Sequence, residues 1–437
     1  MIDSPKTLWI DITDMFYWKG NFTGIQNVVD NYTQRFIENK TARLFIFEPP
    51  HNTYREVSTH EWSERREQIL SIATSKVPPA QRRPLKDILR HHAAVRVKKV
   101  MPGQLKVVLR AQVEAYRKQK YQAAARHHPF NKGDTVLVIG GNWGDDFRGF
   151  AEGLVKIKED IDIRLLHVVH DLIPLKYPNY YVPNSTSSFG RYFRALSKSG
   201  GVDGYFADSK STASDVKSLI IKPGSVRPVE VIRLGEDFSP VLEPKKPRLD
   251  VVSGNFLLCV GTLEARKNHG LIYSVAKLAK QHKKAFPKIV IVGKKGWMET
   301  ETLHNLTKDP DISDGIIVSH DITNAELAWL YQNCRFTLYP SYYEGWGLPI
   351  AESLHYGKLC LASNTSSMPE VGESYADYFS PFDAGELLDK ILFYQNPENL
   401  HARERIISKR PPFTWDNSFE QFTNQVIKMV DTIGTNK

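Results

Sequence analysis

Cysteine is scarce in this chain: three residues in 437, Cys259, Cys334 and Cys360, each inside an apolar run such as FLLCVG. Cysteine there acts as a small hydrophobe, and neither a metal-ligand spacing nor a disulfide framework emerges. A reducing, cytoplasmic setting is expected. No apolar stretch approaches the ~20 residues that span a bilayer. The opening MIDSPKTLWIDITD lacks the basic start and unbroken apolar core of a signal peptide. A protein that is soluble, or lies on a membrane without crossing it, is expected. No repeat at solenoid period and no low-complexity tract is present.

What is there is an ordinary globular composition, 41% hydrophobic and 24% charged, with length enough for two domains. The net charge of +9 is unevenly spread. Between Arg82 and Arg126 thirteen Lys and Arg face two acids, Asp87 and Glu114, so this segment carries +11 and the rest of the chain −2. Basic and apolar residues interleave there around Pro102–Gly103, as on helices lying on an anionic membrane surface. A solvated basic insertion is the alternative. Single-stranded nucleic acid is a third, although the aromatic interleaving usual for it is missing.

Short β-branched runs alternate with amphipathic helical stretches. Strands are predicted at 7–12, 43–47, 135–140, 163–169, 204–207 and 229–234. A second set follows the Pro- and Lys-rich stretch 239–254, at 256–261, 288–293, 315–319, 335–340 and 358–363. Apolar strands alternating with helices predict parallel sheets covered on both faces, hence an α/β protein of two Rossmann-like, doubly wound domains with a cleft between them. The predicted boundaries are 1–237 for the first domain, interrupted by the basic helical insertion 76–130, then 238–414 for the second. A final helix, 415–437, begins after Pro411–Pro412 with Asp416 near its cap.

YPSYYEGWGLPIAES (339–353) concentrates the chemistry. Glu344 follows a strand end, Gly345 and Gly347 permit positive φ and close backbone approach, and Pro349 suits the first turn of a helix. Exposed N–H groups and the dipole at such a helix start attract a diphosphate. Carboxylates on either side, Glu344 and Glu352, accept from hydroxyl-rich groups. Each acid alone also reads as a solvated helix-start acid.

The stretch EGWGLPIAE resembles the E-x7-E signature of retaining GT-B glycosyltransferases of the family 4 type. CVGTLEARKNHGLIYSVAKL is similar to the family's phosphate-binding segment, and ITNAELAWLYQNCRFTLYPS and LASNTSSMPEVGESYADYFSP to the segments flanking the signature. In the N-terminal half TGIQNVVDNY, HDLIPLKYP, ADSKSTASD and VIRLGED resemble its glycine loop, His-Asp-Leu segment and domain end. The resemblance covers most of the chain, and its ordered motifs are specific.

It implies that Glu344 holds donor-sugar hydroxyls, aided by Gly345, Trp346, Gly347 and Leu348, and that Glu352 holds the ribose. Arg266 and Lys267 neutralise the diphosphate leaving group, Gly24 lets a helix start approach it, and His170 bonds the transferred sugar. Thr262 and Asp321 complete the donor set. Thr262 stands where some relatives place an Arg, and Ala265 where Pro is common. Asn27, Trp143, Asp145 and Asp171 form the expected acceptor set; Asn27 replaces a longer residue. The strand end GGNWGDDF (140–147) also reads as an ordinary turn, and His170 alone as a structural histidine. Arg266 and Lys267 alone read as surface cations, although positive charge at a helix start is unfavourable without an anion to meet it. The DID triplet at 160–162 imitates a metal motif of other glycosyltransferases, but it precedes a strand and reads as a solvated turn.

The resulting expectation is a metal-independent retaining transferase with no cofactor. It moves a hexose, with mannose from GDP-mannose favoured, to a lipid-linked or polysaccharide acceptor in bacterial surface glycan (lipopolysaccharide) assembly. It would work in the cytoplasm, with the basic segment offering peripheral attachment to the inner face of the plasma membrane. Alternatives are a glycogen-synthase-like enzyme on a soluble glucan, or a non-catalytic carbohydrate- or nucleic-acid-binding protein on the same scaffold. No specific nucleic acid is expected.

Overall fold

The β-branched runs of the N-terminal half become strands β1 (Leu8–Asp11), β2 (Arg43–Glu48), β3 (Thr53–Val57), β4 (Thr135–Val138), β5 (Arg164–Val169), β6 (Gly204–Ala207) and β7 (Val229–Val231). They belong to a computed structural model that describes residues 6–20, 22, 24–49, 51–74, 127–198, 200–237, 243–251, 253–296 and 300–435. The basic segment 82–126, with its expected helices, lies outside the described residues.

The strand order is β3-β2-β1-β4-β5-β6-β7. β1 pairs in parallel with β2 and β4, and β6 with β7. β3 joins β2 antiparallel, a strand that the sequence reading missed. Its sequence TYREV has no apolar run, and charge pairs stitch it in place: Arg55 with Glu48 and Glu61, Arg43 with Glu56. β4 is buried along its whole length, as its TVLV sequence requires.

The second sheet holds β8 (Phe256–Val260), β9 (Lys288–Val292), β10 (Ile316–Ser319), β11 (Thr337–Tyr339), β12 (Cys360–Ser363) and β13 (Asp377–Phe379). All its neighbours are parallel, in the order β10-β9-β8-β11-β12-β13. β13, only three residues long, is the other strand not anticipated. This is the doubly wound order, and its switch point lies between β8 and β11, where ligands gather in such sheets.

The chain divides into two compact units, Met1–Leu166 with Arg191–Asp203, and His167–Gly190 with Gly204–Lys437. In the second unit the long helix Trp415–Thr435 lies against β6 and β7. Ser418 Oγ donates to the Arg233 carbonyl at 2.6 Å, Gln425 Nε2 to the Val231 carbonyl at 3.0 Å, and Phe422 meets Phe206 edge-on at 5.1 Å. All three cysteines are free and buried. Burial pushes each thiol up to about 12, which keeps them unreactive. No described helix is long and apolar enough to cross a membrane.

Candidate active site

β8 ends at Val260, and its continuation forms a single tight turn, Ala265–Lys267, before the helix His269–Gln281 begins. Between turn and helix Asn268 adopts a left-handed conformation, φ +56°, which asparagine tolerates better than most residues. Its side-chain amide donates to the Pro340 carbonyl at 3.0 Å and the Pro381 carbonyl at 2.9 Å. The β8 turn is thereby pinned to the loops that follow β11 and β13. Arg266 and Lys267 sit in the tight turn and not in the helix, so the conflict between positive charge and a helix start is relieved.

The anions they meet are supplied by the fold itself. Arg266 Nη1 lies 2.5 Å from Glu344 Oε2 and donates to the Tyr343 carbonyl at 2.8 Å, while Nη2 donates to Glu264 Oε1 at 2.6 Å. Lys267 Nζ lies 2.7 Å from Glu344 Oε1 and donates to Tyr339 Oη at 3.0 Å. Glu344 is buried, so desolvation would raise its pKa, yet Arg266 and Lys267 pull it down to about 2. Burial works against the charge on Arg266, but Glu344 and Glu264 outweigh it and leave the guanidinium firmly protonated. For Lys267 burial wins, and its pKa falls below the usual lysine value.

The signature loop is held from β12's side. Ser366 Oγ accepts from the Glu344 N–H at 2.9 Å, and Ser367 Oγ donates to the carbonyls of Glu344 at 3.0 Å and Trp346 at 2.5 Å. Gly347, φ +134°, turns the chain into the helix Leu348–His355, with Pro349 in its first turn. Glu352 accepts from Tyr331 Oη at 2.6 Å, and burial raises its pKa. Tyr331 is itself clamped by stacking on Tyr356 at 5.2 Å.

His170, just past the end of β5, is buried, with Nδ1 2.8 Å from Asp208 Oδ2. A carboxylate there favours the proton on Nδ1 and makes Nε2 the acceptor nitrogen of the neutral ring. Asp171 accepts from the Ile173 N–H at 3.0 Å and so caps the short helix Ile173–Lys176; burial raises its pKa. The His170 segment reaches the signature loop through Tyr343, whose hydroxyl bonds Lys176 Nζ at 2.9 Å, Ser211 Oγ at 2.9 Å and Asp215 Oδ2 at 2.7 Å. His170, Arg266, Lys267 and Glu344 thus belong to one constellation at the carboxyl ends of β5, β8 and β11.

Residues 244–409 match the family described as Glycosyl transferases group 1. Three curated relatives are similar. One is the serotype-specific mannosyltransferase WbdA of Escherichia coli, 26% identical over 270 residues, 58% of this chain and 32% of that protein. Another is the O-antigen chain mannosyltransferase B of E. coli, 30% identical over 172 residues, 39% of this chain and 45% of that protein. The third, O-antigen chain mannosyltransferase RfbU of Salmonella typhimurium, is 26% identical over 217 residues, 49% and 56% of the two chains. The matches thus span about a third to just over half of those relatives' lengths.

Among solved structures, sucrose-phosphate synthase from Thermosynechococcus elongatus superposes with a TM-score of 0.58 at 15% identity, covering 98% of this chain and 100% of its own. Anabaena HepE, crystallised with UDP-glucose, gives 0.59 at 13% identity, covering 97% and 99%. These likenesses establish the GT-B fold.

The matched segment contains Thr262, Asp321, Arg266, Lys267 and both signature acids. Thr262 is half-buried beside them at the β8 end; Asp321 is exposed after β10, next to His320, whose Nδ1 lies 2.9 Å from the Gly293 carbonyl. Outside it, Gly24 opens the helix Gly24–Glu38 with φ +30°, and Asn27 sits in its first turn, its carbonyl accepting from Asn31 Nδ2 at 2.8 Å. Trp143 packs edge-on against Tyr192 at 6.4 Å, and Asp145 pairs with Arg191 at 2.8 Å. The DID triplet caps a helix end, Asp162 having φ +55°. Among the described residues no cluster of three or more His, Cys, Asp or Glu has metal-binding geometry. Sequence reasoning missed Asp208, Glu264, Tyr331, Tyr339 and Tyr343. Asp208 carried a usable signal, an acid directly after the strand GYFA, and so did Glu264, an acid two residues before Arg266; the three tyrosines needed three-dimensional contacts.

Proposed function

We propose that the protein is a retaining, metal-independent glycosyltransferase that moves a hexose from a nucleoside diphosphate to a hydroxyl of a lipid-linked or polysaccharide acceptor in bacterial surface glycan synthesis. The observation that carries this reading is the pair Arg266 and Lys267 converging on buried Glu344 at the switch point of a doubly wound sheet. As the glycosidic bond to the diphosphate breaks, negative charge grows on the leaving oxygen. Two fixed cations stabilise that charge without reorganisation: Arg266 through planar two-point contact, Lys267 as a point charge. Glu344 then turns to the sugar hydroxyls, Glu352 takes the ribose, and His170 Nε2 faces the sugar near the reacting carbon. Asn27, Trp143, Asp145 and Asp171 remain the acceptor candidates.

Mannose from GDP-mannose is the favoured donor, because the similar curated proteins named above are mannosyltransferases. HepE was crystallised with a uridine donor, so UDP belongs in any test. The test is a thermal-shift panel of GDP, UDP, ADP, dTDP and CMP on the wild type and on Lys267→Ala. A ligand at a hundredfold its dissociation constant stabilises by ~2.7 kcal/mol. One diphosphate should raise the midpoint of the wild type and not of the variant. If none does, and no sugar nucleotide is turned over or hydrolysed, the reading fails. Activity lost in EDTA and restored by a divalent cation would overturn metal independence alone.

A further inference from the structure

Phe382, in the loop between β13 and the helix Ala384–Gln395, is 77% exposed. A single exposed phenylalanine is common on protein surfaces, but this one is mounted. Its ring stacks on Tyr342, centroids 5.4 Å apart with planes at 28°, and Tyr342 lies nearly parallel on Tyr180 at 6.0 Å and 5°. Tyr177 continues the row at 5.9 Å from Tyr180. The row is anchored to the cation turn at two points. The Tyr342 N–H donates to the Arg266 carbonyl at 2.9 Å, and Pro381, immediately before Phe382, is bound by the Asn268 amide directly after Lys267. The open end of the aromatic stack therefore stands at a fixed place beside the cation pair.

We propose that the outer face of Phe382 is a platform for a pyranose ring of the acceptor glycan; this rests on the glycosyltransferase reading above. The C–H groups on one face of a pyranose form an apolar, slightly positive surface that packs on the negative face of an aromatic ring. Asp383, exposed next to Phe382, caps the helix Ala384–Gln395 by accepting from the Glu386 N–H through Oδ1 at 2.9 Å, and offers its other carboxylate oxygen to the hydroxyls around such a ring. A nucleobase is the other flat ligand that could stack here. It is disfavoured because the ribose acid Glu352 is held by Tyr331, from the helix Asn324–Asn333, and the aromatic row shares no residue with that pair. Building the platform on the cation turn couples the acceptor ring to the leaving group: whatever seats the diphosphate also sets where the sugar stacks.

The test is saturation-transfer NMR with methyl α-mannopyranoside and methyl α-rhamnopyranoside on the wild type, Phe382→Ala, Phe382→Leu and Phe382→Trp, with GDP and UDP as parallel probes. The wild type should transfer saturation to the ring C–H protons. Phe382→Ala and Phe382→Leu should bind the glycosides about fivefold more weakly, the size of one ring-stacking contact. Phe382→Trp should retain them, and nucleotide affinity should be unchanged in all three. Glycoside binding that survives in the alanine variant, that leucine restores, or that is absent from the wild type overturns the platform. So does a loss of nucleotide affinity in Phe382→Ala, which would assign the ring to a base. Failure of the wild type to bind any nucleotide would count against the transferase reading, whatever the glycosides do.

Discussion

A Cβ on Gly345 would stand 2.1 Å from the carbonyl oxygen of His170 and 2.9 Å from Asp171 Cβ. The signature loop and the His170 segment therefore meet backbone to backbone, at a distance only glycine allows. The obstruction is main chain, which cannot swing aside. Gly345→Ala should destabilise the protein by ~1–3 kcal/mol through overpacking and separate His170 from Glu344. Urea unfolding should show the loss of stability. Turnover should fall further than the folded fraction does, since His170 and Glu344 are the residues proposed to hold the reacting sugar.

Glu344 gives the protein an acid-sensitive element whose sign follows from its environment. Its pKa drops from the ordinary 4.5 to about 2 in the folded state, where Arg266 and Lys267 hold the carboxylate. Between those values the folded protein binds fewer protons than the unfolded chain, so stability falls as pH falls through that window. Above pH 4.5 the contribution is fully present. Glu344→Gln lacks it, and the stability gap between wild type and variant should be widest near neutrality and shrink toward pH 3. Denaturant titrations at pH 7, 4 and 3 measure the gap directly.

Tyr331 Oη donates to Glu352 at 2.6 Å in a site where burial alone disfavours the carboxylate charge. Tyr331→Phe removes that donor and keeps the ring stacked on Tyr356. A hydrogen bond to a charged group contributes ~1.5–3 kcal/mol. The nucleotide-sugar KM should rise about tenfold, the equivalent of ~1.4 kcal/mol, with kcat little changed, because Glu352 is assigned to ribose and not to the reacting carbon. An equal fall in kcat would move Glu352 closer to the chemistry.

Asp208 fixes the imidazole of His170 from behind. Asp208→Asn keeps the shape but lets the ring take the other tautomer, with the proton on Nε2. We expect kcat to fall about tenfold, as loss of one oriented hydrogen bond worth ~1–1.5 kcal/mol would give. Nucleoside diphosphate affinity should be unchanged. A matching loss of diphosphate binding would show that Asp208 supports the loop and not the ring.

Much of this arrangement could be read from the chain. The apolar runs of β1, β2 and β4 and of β8, β9 and β12 identify themselves because buried parallel strands need side chains that suit two covered faces. β3 and β13 escaped because TYREV and DYF lack that run; pairing with a neighbour makes them strands. Glu344, Arg266 and Lys267 were singled out by the resemblance of their segments to a known family; the helix-start misfit also drew attention to the two cations, although the structure places both in the turn before the helix. Tyr339 and Tyr343 were not legible, since a residue that supports a charge on another segment leaves no periodic trace in sequence; Glu264, two residues before Arg266, was within local reach and was passed over. Asp171 was expected among the acceptor residues; its carboxylate caps a helix, which local sequence could have suggested from its place two residues before Ile173.

The cluster of Arg266, Lys267, Glu264 and Glu344 is formally neutral: two cations, two carboxylates. A site that already contains its own counter-ion behaves as an ion exchanger. An arriving anion is not drawn to bare positive charge; it must displace a resident carboxylate held at 2.5 and 2.7 Å. Glu344, a monoanion with two oxygens, already occupies both cations at once, so an arriving anion must present at least two oxygens at that spacing to replace it. Entry to the cation pair is thus an exchange of one anion for another, and not a simple attraction.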